Sequence, residues 1–480
     1  MVNLSFRGRN TDQHRSVSTS SSNSKHKDPD SVYRPRKTTT TQPMSLRRVL
    51  ISIRWNIVLT TLVLWLCVIN FYERTTVRHA IQQCQWTRWE SWHSGHPHRL
   101  ALFADPQIMD DYSYPGRPAI VNWFARQLID NYHKRNYEHV MSLLDPDTTV
   151  FLGDLFDGGR NWNDLDWFEE FRRFNEIYYK RPNRRTIMSL PGNHDIGFGE
   201  TVNVTSLERF KAIFGPTSSI HDIGNHTLVL LDTISLSDYQ NPNVTRDPLT
   251  VLNSLAPIST NEKPRILMSH VPLYRFPDKQ TCGPLRESTK KFPIMKGEQY
   301  QTVIDYELSQ EVLSKIRPKI VFSGDDHDYC HVTHPYKSQG VDQTADEITV
   351  KSCSMNMGVQ YPAIQLLSLN THDDETRETY ETQMCYLPAP YAALKGYLFT
   401  LIVNISFFAF VFLLPRSYNA IVDRTLDKLG SITNKYDLPV AHQKVGLPQV
   451  FERDLVGMTT TSVITAISVL VVFSVYFGAF

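Results

Sequence analysis

Three long apolar runs divide this chain and constrain its fold more than any other feature. They are NIVLTTLVLWLCVINFY (56–72), LKGYLFTLIVNISFFAFVFLLP (394–415) and TSVITAISVLVVFSVYFGAF (461–480). Each is about long enough to cross a hydrocarbon core of roughly 30 Å as a helix, and such runs are rare inside soluble domains. The sequence therefore predicts transmembrane helices at 56–72, 394–415 and 461–480, with a large block, 73–393, between the first two. The first run follows a long polar tail and lacks a small-residue cleavage site, so it reads as a retained signal anchor.

Charge in the flanks predicts the orientation. Residues 1–55 carry eleven Lys or Arg against three acidic residues and are rich in Ser and Thr. Such a composition predicts a disordered basic tail. The 416–460 connection is also basic, with six Lys or Arg between 416 and 455. Positive charge marks the cytoplasmic side, so tail and connection are expected there and block 73–393 in the lumen or outside the cell. Sequons at Asn203, Asn225 and Asn243 all fall in that block. So do Cys84, Cys282, Cys330, Cys353 and Cys385, where disulfides are permitted, whereas Cys67 lies in the first run. Five is odd, so at least one of these is free or pairs elsewhere. Cys84 and Cys385 each sit close to a span and form one pairing to test. A formal net charge of +1 argues against a nucleic-acid partner, which usually calls for a basic surface.

Within the block a single pattern recurs: a short β-branched apolar run ending in a polar turn. The runs are RLALFAD (99–105), TTVFLGD (148–154), RTIMSLPGN (185–193), HTLVLLD (226–232), RILMSHV (265–271) and KIVFSGD (319–325). Such runs read as buried strands. AIVNWFARQLIDNYH (119–133) and LDWFEEFRRFNEIYY (165–179) have helical spacing, and their alternation with strands predicts an α/β domain. One Asp after a strand is ordinarily a turn residue or helix cap. Repeated Asp, Asn and His at strand ends points instead to divalent metal ligands gathered at one edge.

Read in order, the strand ends spell D-x-Q (Asp105, Gln107), G-D-x-x-D-G-G-R (Gly153 to Arg160), G-N-H-D (Gly192 to Asp195), S-H-V (His270) and G-D-D-H-D (Gly324 to Asp328). This series resembles the calcineurin-like metallophosphoesterase superfamily. FADPQ, FLGDLFDGGRNW, LPGNHDIGFG, LDTISLS and the CQWTRWESW entry at 84–92 are further similar to its fungal cell division control protein one group. The resemblance implies an α/β fold of the metallophosphoesterase type, a β-sandwich flanked by helices, with the three transmembrane helices outside it.

By the same resemblance, two divalent ions are expected. One would be held by Asp105, Gln107, Asp154 and His327, the other by Asp154, Asn193, His270 and Asp325, with Asp154 bridging. His194 is expected to protonate the leaving group, and Asp157 to orient His194 or a metal ligand. Arg160 is expected to grip a phosphate oxygen, although a surface ion pair suits an Arg there equally well. Gln107 and Asp325 stand where the superfamily carries His. Exchanging nitrogen for oxygen favours Mn²⁺ or Mg²⁺ over Zn²⁺, so manganese is the expected metal.

The group implies an endoplasmic reticulum or early Golgi membrane enzyme that removes ethanolamine phosphate from a mannose of the glycosylphosphatidylinositol (GPI) glycan. Its substrate would be the glycan or a GPI-anchored protein, held in the same bilayer. Two rivals stand beside this reading: a secretory-pathway metallophosphoesterase with another substrate, and a non-catalytic membrane scaffold. Other features have plainer readings. The tryptophans of CQWTRWESW are expected to pack at the membrane face. His331 and His334 are expected in supporting or surface roles, Lys290 and Lys291 in solvent, and 371–384 as a charged linker.

Overall fold

The computed structural model describes residues 52–92, 95–111, 113–198, 202–255, 263–297, 299–370, 378–435 and 453–478. The expectation for the basic tail falls almost wholly outside them. The strands are β1 (His98–Phe103), β2 (Thr148–Phe151), β3 (Arg185–Ile187), β4 (Ser219–Ile223), β5 (His226–Leu230), β6 (Arg265–Met268), β7 (Lys296–Gly297), β8 (Tyr300–Gln301), β9 (Ile320–Ser323), β10 (Cys330–Ser338), β11 (Val341–Thr349), β12 (Ala363–Leu369) and β13 (Tyr380–Tyr386). The first six helices are α1 (Trp55–Asn70), α2 (Thr76–Gln82), α3 (Ala119–Leu143), α4 (Asp164–Ile177), α5 (Asn193–Ile196) and α6 (Val204–Phe214). They are followed by α7 (Thr233–Leu236), α8 (Pro242–Ser254), α9 (Tyr306–Ile316), α10 (Pro390–Leu413), α11 (Pro415–Lys435) and α12 (Leu455–Phe477).

All six runs read as strands form one: β1, β2, β3, β5, β6 and β9. One sheet has the order β13-β12-β1-β2-β3 and the other β10-β11-β9-β6-β5-β4. Strand alternation explains how they stack. Leu100 and Leu102 of β1, Leu228 and Leu230 of β5, Ile266 and Met268 of β6, and Ile320 and Phe322 of β9 share one buried cluster. The intervening Ala101, Phe103, Val229, Leu267 and Val321 belong to a second cluster with helix residues such as Tyr137 and Phe174. Each central strand is thus buried on both faces, which is why it reads as a continuous apolar run. β1, β2 and β3 are mutually parallel, as are β5, β6 and β9, so within each sheet the carboxyl ends lie at one edge.

Helix α3 continues ten residues past the predicted stretch. Tyr137, Val140, Met141 and Leu144 keep helical spacing and are buried, while the charged HKRN segment before them masks the periodicity in the sequence. The linker reading of 371–384 is corrected in its second half. Residues 380–386 form β13, antiparallel to β12. Tyr380 and Met384 pack on the inter-sheet cluster while Cys385 faces the other core. Residues 371–377 lie outside the described residues.

The tryptophan expectation is also corrected. Trp86 is buried in the domain core and its indole N–H donates to the Leu144 carbonyl at 2.6 Å. Trp92 donates to Ser368 Oγ at 2.8 Å. These rings lock the entry segment to the domain. Cys84 is joined to Cys385 and Cys282 to Cys330, leaving Cys353 free and buried and Cys67 free.

Three helices are long and apolar enough to cross a membrane: Trp55–Gln82, Pro390–Leu413 and Leu455–Phe477. The first passes through a π-helical turn at Phe71–Thr75. Trp65, Ile69, Ala393, Tyr397 and Val469 pack the three together near the domain, and Ile57, Phe408, Val411 and Phe412 pack the far end. Arg54 N–H bonds Thr461 Oγ1 at that far end. The segment 416–460, expected as a loop, begins as helix α11, broken from α10 at Pro415, which cannot continue a helix hydrogen-bond ladder.

Candidate metal centre

The strand ends converge as the fold requires. Ligating atoms of Asp105, Asp154 and His270 lie within 4.8 Å of one another, and all three side chains are buried. They follow β1, β2 and β6, so both sheets contribute. Asp325, two residues beyond β9, has Oδ1 3.6 Å from His270 Nε2, and its backbone N–H donates to Asp105 Oδ1 at 3.0 Å. Asn193, at the first turn of α5, places Oδ1 3.3 Å from His270 Nε2. The Gln107 amide N–H donates to Asp154 Oδ2 at 2.8 Å. His327 feels the charges of Asp325, Asp154, His194 and His270, and burial pushes its pKa down, keeping the ring neutral as a ligand must be.

The backbone is unusual here. Asp105, Gln107, Asp154, Asp325 and His327 all have positive φ, between 34° and 68°. A non-glycine residue held in this region costs on the order of 1–3 kcal/mol and persists only where the surroundings impose it. Five such residues in one cluster mark a site rather than a set of ordinary turns.

The residues around the cluster hold it in place. His270 Nδ1 donates to the Leu152 carbonyl at 2.7 Å, which fixes the tautomer and leaves Nε2 as the ligating atom. The His194 backbone N–H donates to Asp154 Oδ1 at 2.8 Å. The His194 ring is held by Nδ1, 2.6 Å from the Asp157 carbonyl and 3.3 Å from its carboxylate, which leaves Nε2 for another partner. Arg160 donates from Nη1 to the Asn193 carbonyl at 3.0 Å, and its Nε has no partner among the described residues.

Three supports were not assigned from the sequence. Asp195, the last residue of G-N-H-D, accepts from the backbone N–H groups of Gly192, Leu155 and Phe156, so it ties the G-N-H-D turn to the G-D-x-x-D turn. Its presence in the motif was the available signal. Asn193 donates to the Gln299 carbonyl at 3.3 Å, bringing the β7–β8 hairpin to the site. Arg286 pairs with Asp326, between Asp325 and His327. His331 and His334 are not brought into the cluster: His334 bonds Glu347 at 2.7 Å and His331 is exposed.

The cluster fits a cation on its own chemistry. Burial, with Asp154 and Asp325 beside it, pushes the Asp105 carboxyl well above its usual range despite His270 nearby. Its Oδ2 is buried without any hydrogen-bond partner. Burial alone would raise Asp154, but His270 and His194 outweigh it and hold the group ionised. Burial alone would also lower His270, yet Asp154, Asp325 and Asp105 outweigh it and raise its pKa. Buried carboxylates with an orphaned oxygen, set against an imidazole, are arranged as a divalent ion would require.

Comparison with known proteins agrees. The family model for calcineurin-like phosphoesterases matches residues 98–329. The chain is 50% identical to cell division control protein 1 of Saccharomyces cerevisiae over 446 residues, covering 90% of each. The chain belongs to the calcineurin-like metallophosphoesterases. It is also 28% identical to metallophosphoesterase 1 of Xenopus laevis over 281 residues, 53% of this chain and 65% of that one. Against metallophosphoesterase 1 of Mus musculus it is 26% identical over 294 residues, 56% of this chain and 70% of that one. As a calcineurin-like metallophosphoesterase the chain is a metal-dependent phosphoesterase, carried on a body with three helices able to span a membrane.

Proposed function

We propose that this phosphoesterase is a phosphodiesterase of the endoplasmic reticulum or early Golgi that removes ethanolamine phosphate from a mannose of the GPI glycan. The observation that carries the reading is the buried Asp105–Asp154–His270 cluster on a domain packed directly against three membrane-length helices. A lipid-anchored substrate and a tethered enzyme share one surface, which raises their effective concentration. The choice of GPI glycan rests on likeness to the fungal cell division control protein one group. A lumenal orientation is supported by two disulfides and by sequon residues Asn203, Asn225 and Asn243, all exposed on the domain.

In this reading Asp105, Gln107, Asp154 and His327 would hold one ion and Asp154, Asn193, His270 and Asp325 the other. When bound, the ions supply Lewis acidity, acidifying water and neutralising phosphoryl oxygens. The oxygen-rich donor set supports manganese. The chain's own groups do the rest. His194, fixed through Nδ1, presents Nε2 to protonate the departing sugar oxygen, a contribution of about 10²–10⁴-fold for a positioned acid. Asp157 orients that ring through its carbonyl and carboxylate. Arg160 braces Asn193 and offers its remaining N–H groups to a phosphate oxygen.

The test is release of ethanolamine phosphate from a GPI glycan by the purified full-length protein, with Mn²⁺ or with chelator, for wild type and Asp154→Ala. Manganese-dependent release abolished in Asp154→Ala is the expected result. A folded, metal-loaded protein that leaves the glycan intact but cleaves another phosphoester would remove the GPI assignment, and one that cleaves none would favour a scaffold.

A further inference from the structure

A second polar centre lies where the three membrane-length helices meet the domain. Counting about 1.5 Å per residue from Trp55, Glu73 and Arg74 sit about 27 Å along the first helix, at the level where a hydrocarbon core of roughly 30 Å gives way to headgroups. The helix is π-helical over this turn, Phe71–Thr75. π-turns within α-helices often mark functional positions. Here the turn brings Glu73 and Arg74 against Lys134 and Arg135 of α3 and the last turn of α12.

These residues line a cavity of about 170 Å³, closed on one side by Tyr476 and Gly478. Its charge is unbalanced: Arg74, Lys134 and Arg135 face two acids, Glu73 and Glu138. Glu73 is fully engaged, accepting from Arg135, from Tyr397 of α10 and from Asn131 at 2.7 Å. Glu138 reaches Arg74 at only 4.0 Å, with both side chains exposed enough for solvent to weaken the pair. Lys134 has no acidic partner among the described residues. The buried Arg135 retains an Nε without a hydrogen bond.

The uncompensated Lys134 ammonium and the loosely paired Arg74 guanidinium, beside one cavity at headgroup depth, suit an anion with several acceptor oxygens. We infer that this junction is a binding site, separate from the metal centre, for the phosphate group of a membrane phospholipid. The cavity is large enough for a phosphate and its first ester carbons, and the adjoining spans would receive the acyl chains. A bound lipid would brace the first and third spans against α3.

The test uses the full-length protein in phosphatidylcholine nanodiscs containing phosphatidic acid, followed by gentle extraction and native mass spectrometry of retained lipid. Wild type is expected to keep phosphatidic acid. Lys134→Gln is expected to retain about tenfold less, which corresponds to about 1.4 kcal/mol, and Glu138→Gln is expected to retain more. Both variants should cleave the soluble diester bis(p-nitrophenyl) phosphate at the wild-type rate, which confirms the fold. Equal retention in all three proteins would overturn the site. A melting temperature lowered in Lys134→Gln with unchanged retention would make Lys134 a helix-end support and also overturn it. Protection of wild type by inorganic phosphate alone, with no lipid retained, would overturn the lipid source.

Discussion

Gly192 and Asp154 pack so closely that a Cβ on the glycine would meet Asp154 Oδ1 at 2.0 Å and its backbone nitrogen at 2.3 Å. Real Cβ contacts are never that short, so any larger residue must push the carboxylate out of place. Gly192→Ala is therefore expected to lose metal and activity together while the sheets stay folded. A displacement near 1 Å costs on the order of 10²-fold in rate. Metal content and kcat/KM on bis(p-nitrophenyl) phosphate check this, and an alanine variant with full metal content and rate would refute the packing argument.

Arg286 predicts a different effect. It grips Asp326, and the chain next to it is tied down by Glu287 and Ser288 N–H groups donating to Asp328 and by buried Lys351 on Glu287 at 2.5 Å. These contacts bracket His327 and hold the Asp325–His327 turn in its positive-φ conformation. Arg286→Lys keeps the charge but loses the fork that spans both carboxylate oxygens. Metal affinity, read by titration calorimetry, is expected to fall about 10–100-fold, the range for groups that orient ligands. Unchanged affinity would show that the turn holds itself.

The reach of the sequence follows from which contacts are local. Asp105, Asp154, Asn193, His270 and Asp325 were legible because each ends a buried apolar run, and parallel strands must bring such ends to one edge. Arg286 was not, because nothing near it in sequence signals a partner forty residues away. Gln299 was equally silent: it contributes a backbone carbonyl, which every residue has. β13 was hidden by charge, since an edge strand keeps only Tyr380, Met384 and Cys385 for its cores. The helical continuation of α3 was obscured by polar residues that are buried against other polar groups, such as Arg135 against Glu73.

The Cys84–Cys385 bond closes a loop across 301 residues, from the segment after the first span to the end of β13 just before the second. It pins both membrane connections to the domain. Closing so long a loop removes much freedom from the unfolded chain, and loss of a native disulfide typically costs about 2–5 kcal/mol. Cys84→Ser with Cys385→Ser should lower the melting temperature while leaving metal affinity nearly unchanged, because neither cysteine touches the cluster. Loss of metal in a still-folded double variant would show that the membrane connection also shapes the site.

His133 makes acid stability testable. It is buried, with Nδ1 2.6 Å from the Tyr178 hydroxyl and Nε2 3.1 Å from Ser354 Oγ. Burial, helped by Arg173, pushes its pKa down to about 3. Between pH 6.5 and about 3 the unfolded chain holds a proton on this ring that the folded chain refuses. The unfolded state binds more protons there, so stability rises with pH and is lost as pH falls through that window. His133→Gln can still bond both hydroxyls but cannot titrate. It should flatten the pH dependence of chemical unfolding between pH 6.5 and 5 by about 1–2 kcal/mol, since one pH unit of an uptaken proton corresponds to about 1.4 kcal/mol. Measured unfolding curves that stay parallel for wild type and variant across this interval would show that the ring accepts its proton in the folded state, with the Tyr178 or Ser354 oxygen turning to receive it.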